Sequence, residues 1–119
     1  MTPLSARALF ACAALGGAVA VMLGAFAAHG AGPQVKPLLT TGAHYLGLHA
    51  LLALACAHWG RRAAGWLALS GGGVFALSLA LVAWGLRGFG AVAPLGGLLM
   101  IGAWLLLTWQ ALRSQSVKD

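Results

Sequence analysis

Four long stretches of this 119-residue chain contain no Lys, Arg, Asp or Glu, and they constrain the fold more than any other feature of the sequence. The first stretch covers residues 8–28 and has no strongly polar side chain. At about 1.5 Å of helical rise per residue, a segment of this length crosses a hydrocarbon core about 30 Å thick. We therefore predict that this stretch forms a transmembrane helix.

The other three stretches complete the same pattern. The predicted helices cover about residues 8–28, 43–59, 64–86 and 94–112, although the second could start nearer Leu38. Short connections place consecutive helices antiparallel. Thr41 is predicted to cap the second helix, and Pro94 suits the first turn of the fourth, where its missing N–H costs nothing. The chain is therefore predicted to be an all-α polytopic membrane protein, an antiparallel bundle of four transmembrane helices forming one domain over residues 1–119.

Acidic side chains are almost absent from the sequence. The single acid is Asp119, so no carboxylate side chain lies between residues 1 and 118. This excludes paired-carboxylate glycosidases, oxygen-ligand Ca²⁺ or Mg²⁺ sites, nucleotide sites completed by an Asp, and carboxylate proton relays. No catalytic triad, phosphate-binding loop or haem-attachment motif is present. We therefore expect no catalytic residue, no cofactor and no enzymatic activity.

The basic residues give the chain a formal net charge of +6. They stand singly or as one pair near the ends of the predicted spans, so we predict no nucleic-acid binding. One side of the bundle would carry five of them and the other side two, which predicts that both termini and the middle loop lie in the cytoplasm. The five are Arg7, Arg61, Arg62, Arg113 and Lys118, and the two are Lys36 and Arg87.

Tryptophan positions favour the same orientation. Trp59, Trp66 and Trp109 would lie at the cytoplasmic interface and Trp84 at the outer one, as in an aromatic belt. Trp104 is an exception because it falls inside the fourth span. The first span exceeds the apolar region of a signal peptide, about 7 to 15 residues, so we expect it to remain in the mature protein.

Small residues are candidates for helix packing, because lipid supplies little hydrophobic drive for helix association. The third helix contains Gly71, Gly72 and Gly73, and the fourth contains Gly96 and Gly97. We predict that such residues pack the helices within one chain, with a dimer face or a flexible hinge as alternatives. On the first helix, a small residue occupies every fourth position, namely Ala8, Cys12, Gly16, Ala20, Gly24 and Ala28.

Histidines are the side chains that can change charge near neutral pH in this chain. His49 lies about two turns inside the second predicted helix, whereas His29 and His44 lie at outer helix ends. An ionisable residue within the membrane is a functional candidate, because burying it unpaired is costly. Ser78 on the third helix reaches nearly the same depth as His49, so we predict a hydrogen bond between these two side chains.

His29, His44 and Tyr45 are predicted to meet at the outer mouth of the bundle. Imidazole is a common ligand of Zn²⁺ and Cu²⁺. His44 and His49, however, are separated by about 140° around a helix and cannot chelate one ion from a single face. We therefore predict no metal site and treat His29, His44, Tyr45, His49 and Ser78 as a binding or structural polar cluster.

Several short motifs follow one another in a specific order and spacing. They occupy residues 24–29, 41–45 with His49 and Ala50, 75 with Ser78 and Leu79, 94–97 and 102–104. Together they resemble an uncharacterised four-span membrane family, domain of unknown function 423, which includes transmembrane protein 256. Leu46, Ala76, Leu77, Ala80 and Ala93 depart from the family pattern, and all of these except Leu77, which replaces a glycine, remove a polar side chain from it. The resemblance implies a bacterial inner-membrane location for a prokaryotic member and no settled activity.

These observations leave three hypotheses for the function. The first is a non-enzymatic accessory or binding component that acts through its helix faces or through an outer pocket around His29, Tyr45 and His49. The second is a small oligomeric transporter or channel with His49 lining the path and the glycine run as a hinge. The third is an enzyme or redox subunit with haem or metal on its histidines. We expect the first, with the lipid bilayer and either a membrane protein or a second copy of the chain as partners.

Overall fold

The computed structural model describes the backbone of residues 3–118 and the side chains of residues 6–114, so Asp119 lies outside the described part. The described residues form four α-helices, and each is long and apolar enough to cross a membrane. The predicted all-α fold with four packed membrane-type helices is confirmed. The helices are α1 (Pro3–His29), α2 (Lys36–Trp59), α3 (Arg62–Ala83) and α4 (Ala93–Lys118), with a short 3-10 helix at Arg87–Ala91.

Consecutive helices pack against one another, α1 on α2, α2 on α3 and α3 on α4. The α2–α3 pair is antiparallel, since Gly42 of α2 lies against Ala76 of α3 while Gly65 of α3 lies against Cys56 of α2. Two helices, α2 and α3, are therefore central, and α1 and α4 flank them. We call the end where α1 begins and α4 ends the terminus-bearing end. The opposite end, which holds the α1–α2 and α3–α4 connections, is called the loop end.

The start of α2 differs from the prediction. The helix begins at Lys36, earlier than residue 43 and close to the alternative start near Leu38, because Pro37 fits the first turn, where its missing N–H needs no partner. The prediction that Thr41 caps α2 is wrong, since Thr41 lies inside the helix and the cap position belongs to Val35. Pro94 is the second residue of α4, so its predicted place in the first turn is confirmed.

Left-handed glycines end both central helices. Gly60 has φ 74° and, like Arg61, donates its backbone N–H to the carbonyl oxygen of Cys56. Gly85 has φ 98° just after α3, where the prediction had continued the helix to residue 86. A side chain at either position would be strained, because L residues rarely adopt this conformation.

The small residues of α1 pack only in the middle of the helix. Gly16 faces Leu69, Ala20 is buried, and Gly24 faces Ala43, whereas the outer members of the predicted ridge, Ala8, Cys12 and Ala28, are exposed. A spacing of four residues advances about 400° around a helix, so such a ridge turns away from any one neighbour. Burial at the two ends passes to other residues, including Leu9, Ala13 and Ala27.

Two glycines allow α3 and α4 to cross at close range. A Cβ on Gly96 would lie 2.6 Å from the backbone nitrogen of Phe75, and one on Gly71 would lie 2.8 Å from the carbonyl oxygen of Gly96. Gly72 faces the other way and lies against His49 of α2. Gly97 was also predicted to pack, but no described residue lies within 4 Å of the place its Cβ would take. The prediction is wrong for Gly97 because the next residue on a helix is rotated by about 100°.

Candidate functional site

His49 is the buried polar residue at the centre of the bundle. Its side chain is 3% exposed and lies close to the middle of α2. The Nδ1 atom lies 2.7 Å from the carbonyl oxygen of Tyr45, one turn earlier in the same helix. The indole Nε1 of Trp104 on α4 lies 3.0 Å from Nε2 of His49. His49 therefore connects α2 to α4 at the depth where lipid would be most apolar.

The partners determine which nitrogen of His49 carries hydrogen. A carbonyl oxygen only accepts, so Nδ1 must donate to Tyr45. An indole N–H only donates, so Nε2 must accept from Trp104. This arrangement requires the neutral imidazole with its hydrogen on Nδ1. The geometry satisfies both ring nitrogens without any ion, which removes the cost of leaving a polar group unpaired in an apolar interior.

Aromatic rings lie around His49. The ring of Tyr45 stacks on His49 with 6.3 Å between centroids, and Phe75 of α3 meets Tyr45 edge to face at 5.2 Å. Trp104 meets the imidazole edge to face at 6.0 Å. Gly72 brings α3 close enough to complete the site, since a Cβ there would lie 3.3 Å from the Cβ of His49. The site is thus a packed polar and aromatic cluster shared by three helices.

Ser78 does not take part in this cluster as predicted. Its side chain is 3% exposed, but its hydroxyl donates to the carbonyl oxygen of Val74 in α3 at 2.7 Å. Both nitrogens of His49 already have other partners, and no hydrogen bond joins His49 to Ser78 in the described part of the chain. The predicted His49–Ser78 hydrogen bond is wrong, because a helical serine can bond to its own preceding turn instead of reaching across.

The outer polar residues do not share one pocket, although Tyr45 stacks on His49. His44 and Tyr45 line a shallow depression on α2 with Thr40, Thr41 and Leu48. His29 is exposed at the end of α1 and does not line that depression. Among the residues that the structure describes, no three His, Cys, Asp or Glu side chains are grouped as metal ligands. The prediction that His29 meets His44 and Tyr45 at the outer mouth is therefore wrong, whereas Tyr45 and His49 are neighbours.

Trp104 is the site residue whose contact was not predicted. The sequence signal was its position, because a tryptophan inside a span departs from the interfacial belts that tryptophan favours. Its indole N–H requires an acceptor in an apolar layer, and the neutral His49 supplies one from another helix. The tryptophan inside the fourth span and the histidine inside the second are therefore the donor and the acceptor of one hydrogen bond.

The four apolar spans and their internally satisfied polar cluster define a polytopic helical membrane protein. A family model described as "Protein of unknown function (DUF423)" matches residues 23–97, which is more than half of the chain. The chain belongs to this family, as its motifs indicated. The match extends from the last turns of α1 to the first turns of α4 and includes His49, whereas Trp104 lies beyond it. No curated protein and no solved structure matches the chain.

Proposed function

We propose that the chain is a non-enzymatic accessory or binding component of the membrane that acts through the lateral faces of its helices. The observation that carries this proposal is the state of His49, which is 3% exposed and bonded to protein groups at both ring nitrogens. A residue that passes a proton or an ion along a path must exchange partners with water or substrate. His49 instead holds α2 and α4 together, which favours a structural role over transport.

The flanking helices offer the largest surfaces for binding. Within the most apolar window of each helix, 17% of the residues of α1 and 22% of those of α4 are buried, against 33% for α2 and for α3. Large apolar side chains such as Val21, Met22, Leu98 and Leu105 are exposed on these two helices. In a bilayer they would contact acyl chains or the helices of a partner protein. A membrane protein or a second copy of the chain is the proposed macromolecular partner.

The proposed location is the bacterial inner membrane, with both termini in the cytoplasm. Arg7, Arg61, Arg62 and Arg113 belong to the terminus-bearing end of the bundle, and Lys36 and Arg87 belong to the loop end. The excess of Lys and Arg at one end is the charge distribution that the positive-inside rule associates with the cytoplasmic side. The family resemblance supports the same membrane.

Proton flux into liposomes tests this proposal against transport. The full chain is reconstituted with a pH-sensitive dye inside the vesicles, beside His49→Gln and protein-free vesicles. We expect all three preparations to leak protons at the same rate under an imposed potential, because His49 is sealed inside the bundle. A flux that depends on the protein and falls in His49→Gln would contradict the accessory role and favour the transporter or channel.

A further inference from the structure

A lateral groove separates α2 from α4 in the terminus-bearing half of the bundle. It forms because α4 packs on α3 and reaches α2 through the Trp104–His49 hydrogen bond. The groove has a volume of about 790 Å³. Its walls come from Leu52, Ala55 and Trp59 of α2, Arg61 of the following turn, and Trp104, Leu107, Thr108 and Ala111 of α4.

The groove is apolar along its length and cationic at one end. Trp104 closes it near the middle of the bundle, and seven further residues of α4, about 10 Å of helix, lead to Ala111 near the open end. Thr108 adds no free donor, because its hydroxyl donates to the carbonyl oxygen of Trp104 at 2.9 Å. Arg61 and Trp59 stand at the open end. The groove therefore matches a molecule with an apolar chain and an anionic group at one end.

The charge of Arg61 has no acidic partner in the described chain. Its side chain is half-buried, and residues 1–118 contain no carboxylate side chain. By contrast, Arg113 at the same end lies over the ring of Trp109, 5.0 Å from its centroid. A guanidinium binds phosphate through paired N–H groups, and tryptophan favours the level of the lipid headgroups. No described residue supplies a counter-anion for Arg61, and the phosphate of a phospholipid would lie at the depth of this guanidinium.

We propose that this groove binds an anionic phospholipid, with one acyl chain between α2 and α4 and the phosphate on Arg61. The inference rests on the proposed binding role and names the ligand of one lateral face. Lipid binding is measured directly. If no phospholipid binds, this inference fails, and the flux experiment still decides whether the accessory role holds.

Native mass spectrometry of the full chain in detergent tests the headgroup contact. Phosphatidylglycerol and phosphatidylcholine with the same acyl chains are titrated separately against the wild type, Arg61→Gln and Arg7→Gln. We expect one phosphatidylglycerol to bind in preference to phosphatidylcholine, and Arg61→Gln to weaken it about fivefold, as for one cation near a lipid surface. Arg7→Gln is the matched control, since Arg7 is exposed at the same end and lies outside the groove.

A second pair of variants tests the acyl-chain contact. Ala111→Trp fills the groove, whereas Ala11→Trp adds the same bulk to an exposed position on α1, outside the groove. We expect Ala111→Trp to lose the bound phosphatidylglycerol and Ala11→Trp to keep it. Equal binding of the two lipids, equal losses in Arg61→Gln and Arg7→Gln, or retention of lipid in Ala111→Trp would overturn the proposal. A lipid-free dimer that Ala111→Trp dissociates would assign the groove to a second copy instead.

Discussion

At the scale of the residue, His49 shows that the sequence predicts how deep a side chain lies in the bundle but not its hydrogen-bond partner. The sequence placed His49 and Ser78 at similar depths, yet each found a different partner. Ser78 has a short side chain that reaches the preceding carbonyl of its own helix, which competes with any contact across the bundle. Trp104 is long enough to span the gap between α4 and α2, where its N–H donates to His49. The length of each side chain therefore determines which hydrogen bond it forms, and the depth of a residue in its helix does not predict that partner.

The Trp104–His49 hydrogen bond can be tested by removing its donor. Trp104→Phe leaves Nε2 of His49 buried and without its donor. We expect it to lower the free energy of unfolding by about 0.6 to 2 kcal/mol, the range of buried and intramembrane hydrogen bonds. The measurement is thermal unfolding in detergent by circular dichroism. Trp109→Phe is the control, because Trp109 is 55% exposed, similar to 44% for Trp104, and its ring contact with Arg113 survives in Phe. Equal losses in both variants would assign the effect to lost ring area and contradict the hydrogen bond's role.

At the scale of the element, the positions of the helices follow from the sequence, but the directions of their faces do not. Lipid-facing residues of this chain are as apolar as the buried ones, so no hydrophobic periodicity marks the inner face. Gly96 and Gly97 are equivalent in composition, and only the rotation of α4 directs Gly96 into α3. The same holds for Gly71 and Gly72, which face α4 and α2 respectively. A glycine run thus predicts close packing without assigning each glycine to a neighbour.

The crossing of α3 and α4 makes Gly96 and Gly97 a matched pair of test sites. In Gly96→Ala the new methyl would lie within 3 Å of backbone atoms of Phe75 and Gly71, so the helices must separate. We expect a loss of about 1 to 3 kcal/mol in stability, as for an overpacked core. Gly97→Ala has open space in the described structure and should be neutral or stabilising by up to about 1 kcal/mol through helix propensity. Similar melting temperatures for the two variants would show that this crossing is wrong.

Packing of α1 offers a second matched pair. The Cβ of a residue at position 16 would already lie 3.0 Å from Cδ1 of Leu69 and 3.6 Å from the Cβ of Ala50, so Gly16→Leu would displace Leu69 and crowd α2. At Gly17, no described residue lies within 4 Å of the corresponding position, and Gly17→Leu adds a side chain to the outer surface. We expect Gly16→Leu to reduce the yield of folded protein in size-exclusion chromatography and Gly17→Leu to leave it unchanged. If both variants elute as the wild type does, α1 does not pack along this face.

At the scale of the whole molecule, the sequence predicted the fold because membrane spans are long and their charge-free interiors are distinctive. Short connections then left consecutive helices as antiparallel neighbours. The sequence did not predict the gap between α4 and α2, because that gap depends on the Gly71–Gly96 crossing and on the length of Trp104. The lateral groove is therefore a property of the assembled helices and has no motif of its own.

The distribution of basic residues predicts the orientation of the molecule in the membrane. The terminus-bearing end carries an excess of arginine, and moving this end across the membrane would transfer Arg61 and Arg62 together with both termini. We expect green fluorescent protein fused after residue 119 to fluoresce and alkaline phosphatase at the same position to be inactive. Insertion of the phosphatase after Gly88, at the loop end, should give activity, because that connection would face the outside. The opposite activities at the two positions would place the termini outside. They would also put Arg61 of the groove in the outer leaflet, where the positive-inside rule does not place it.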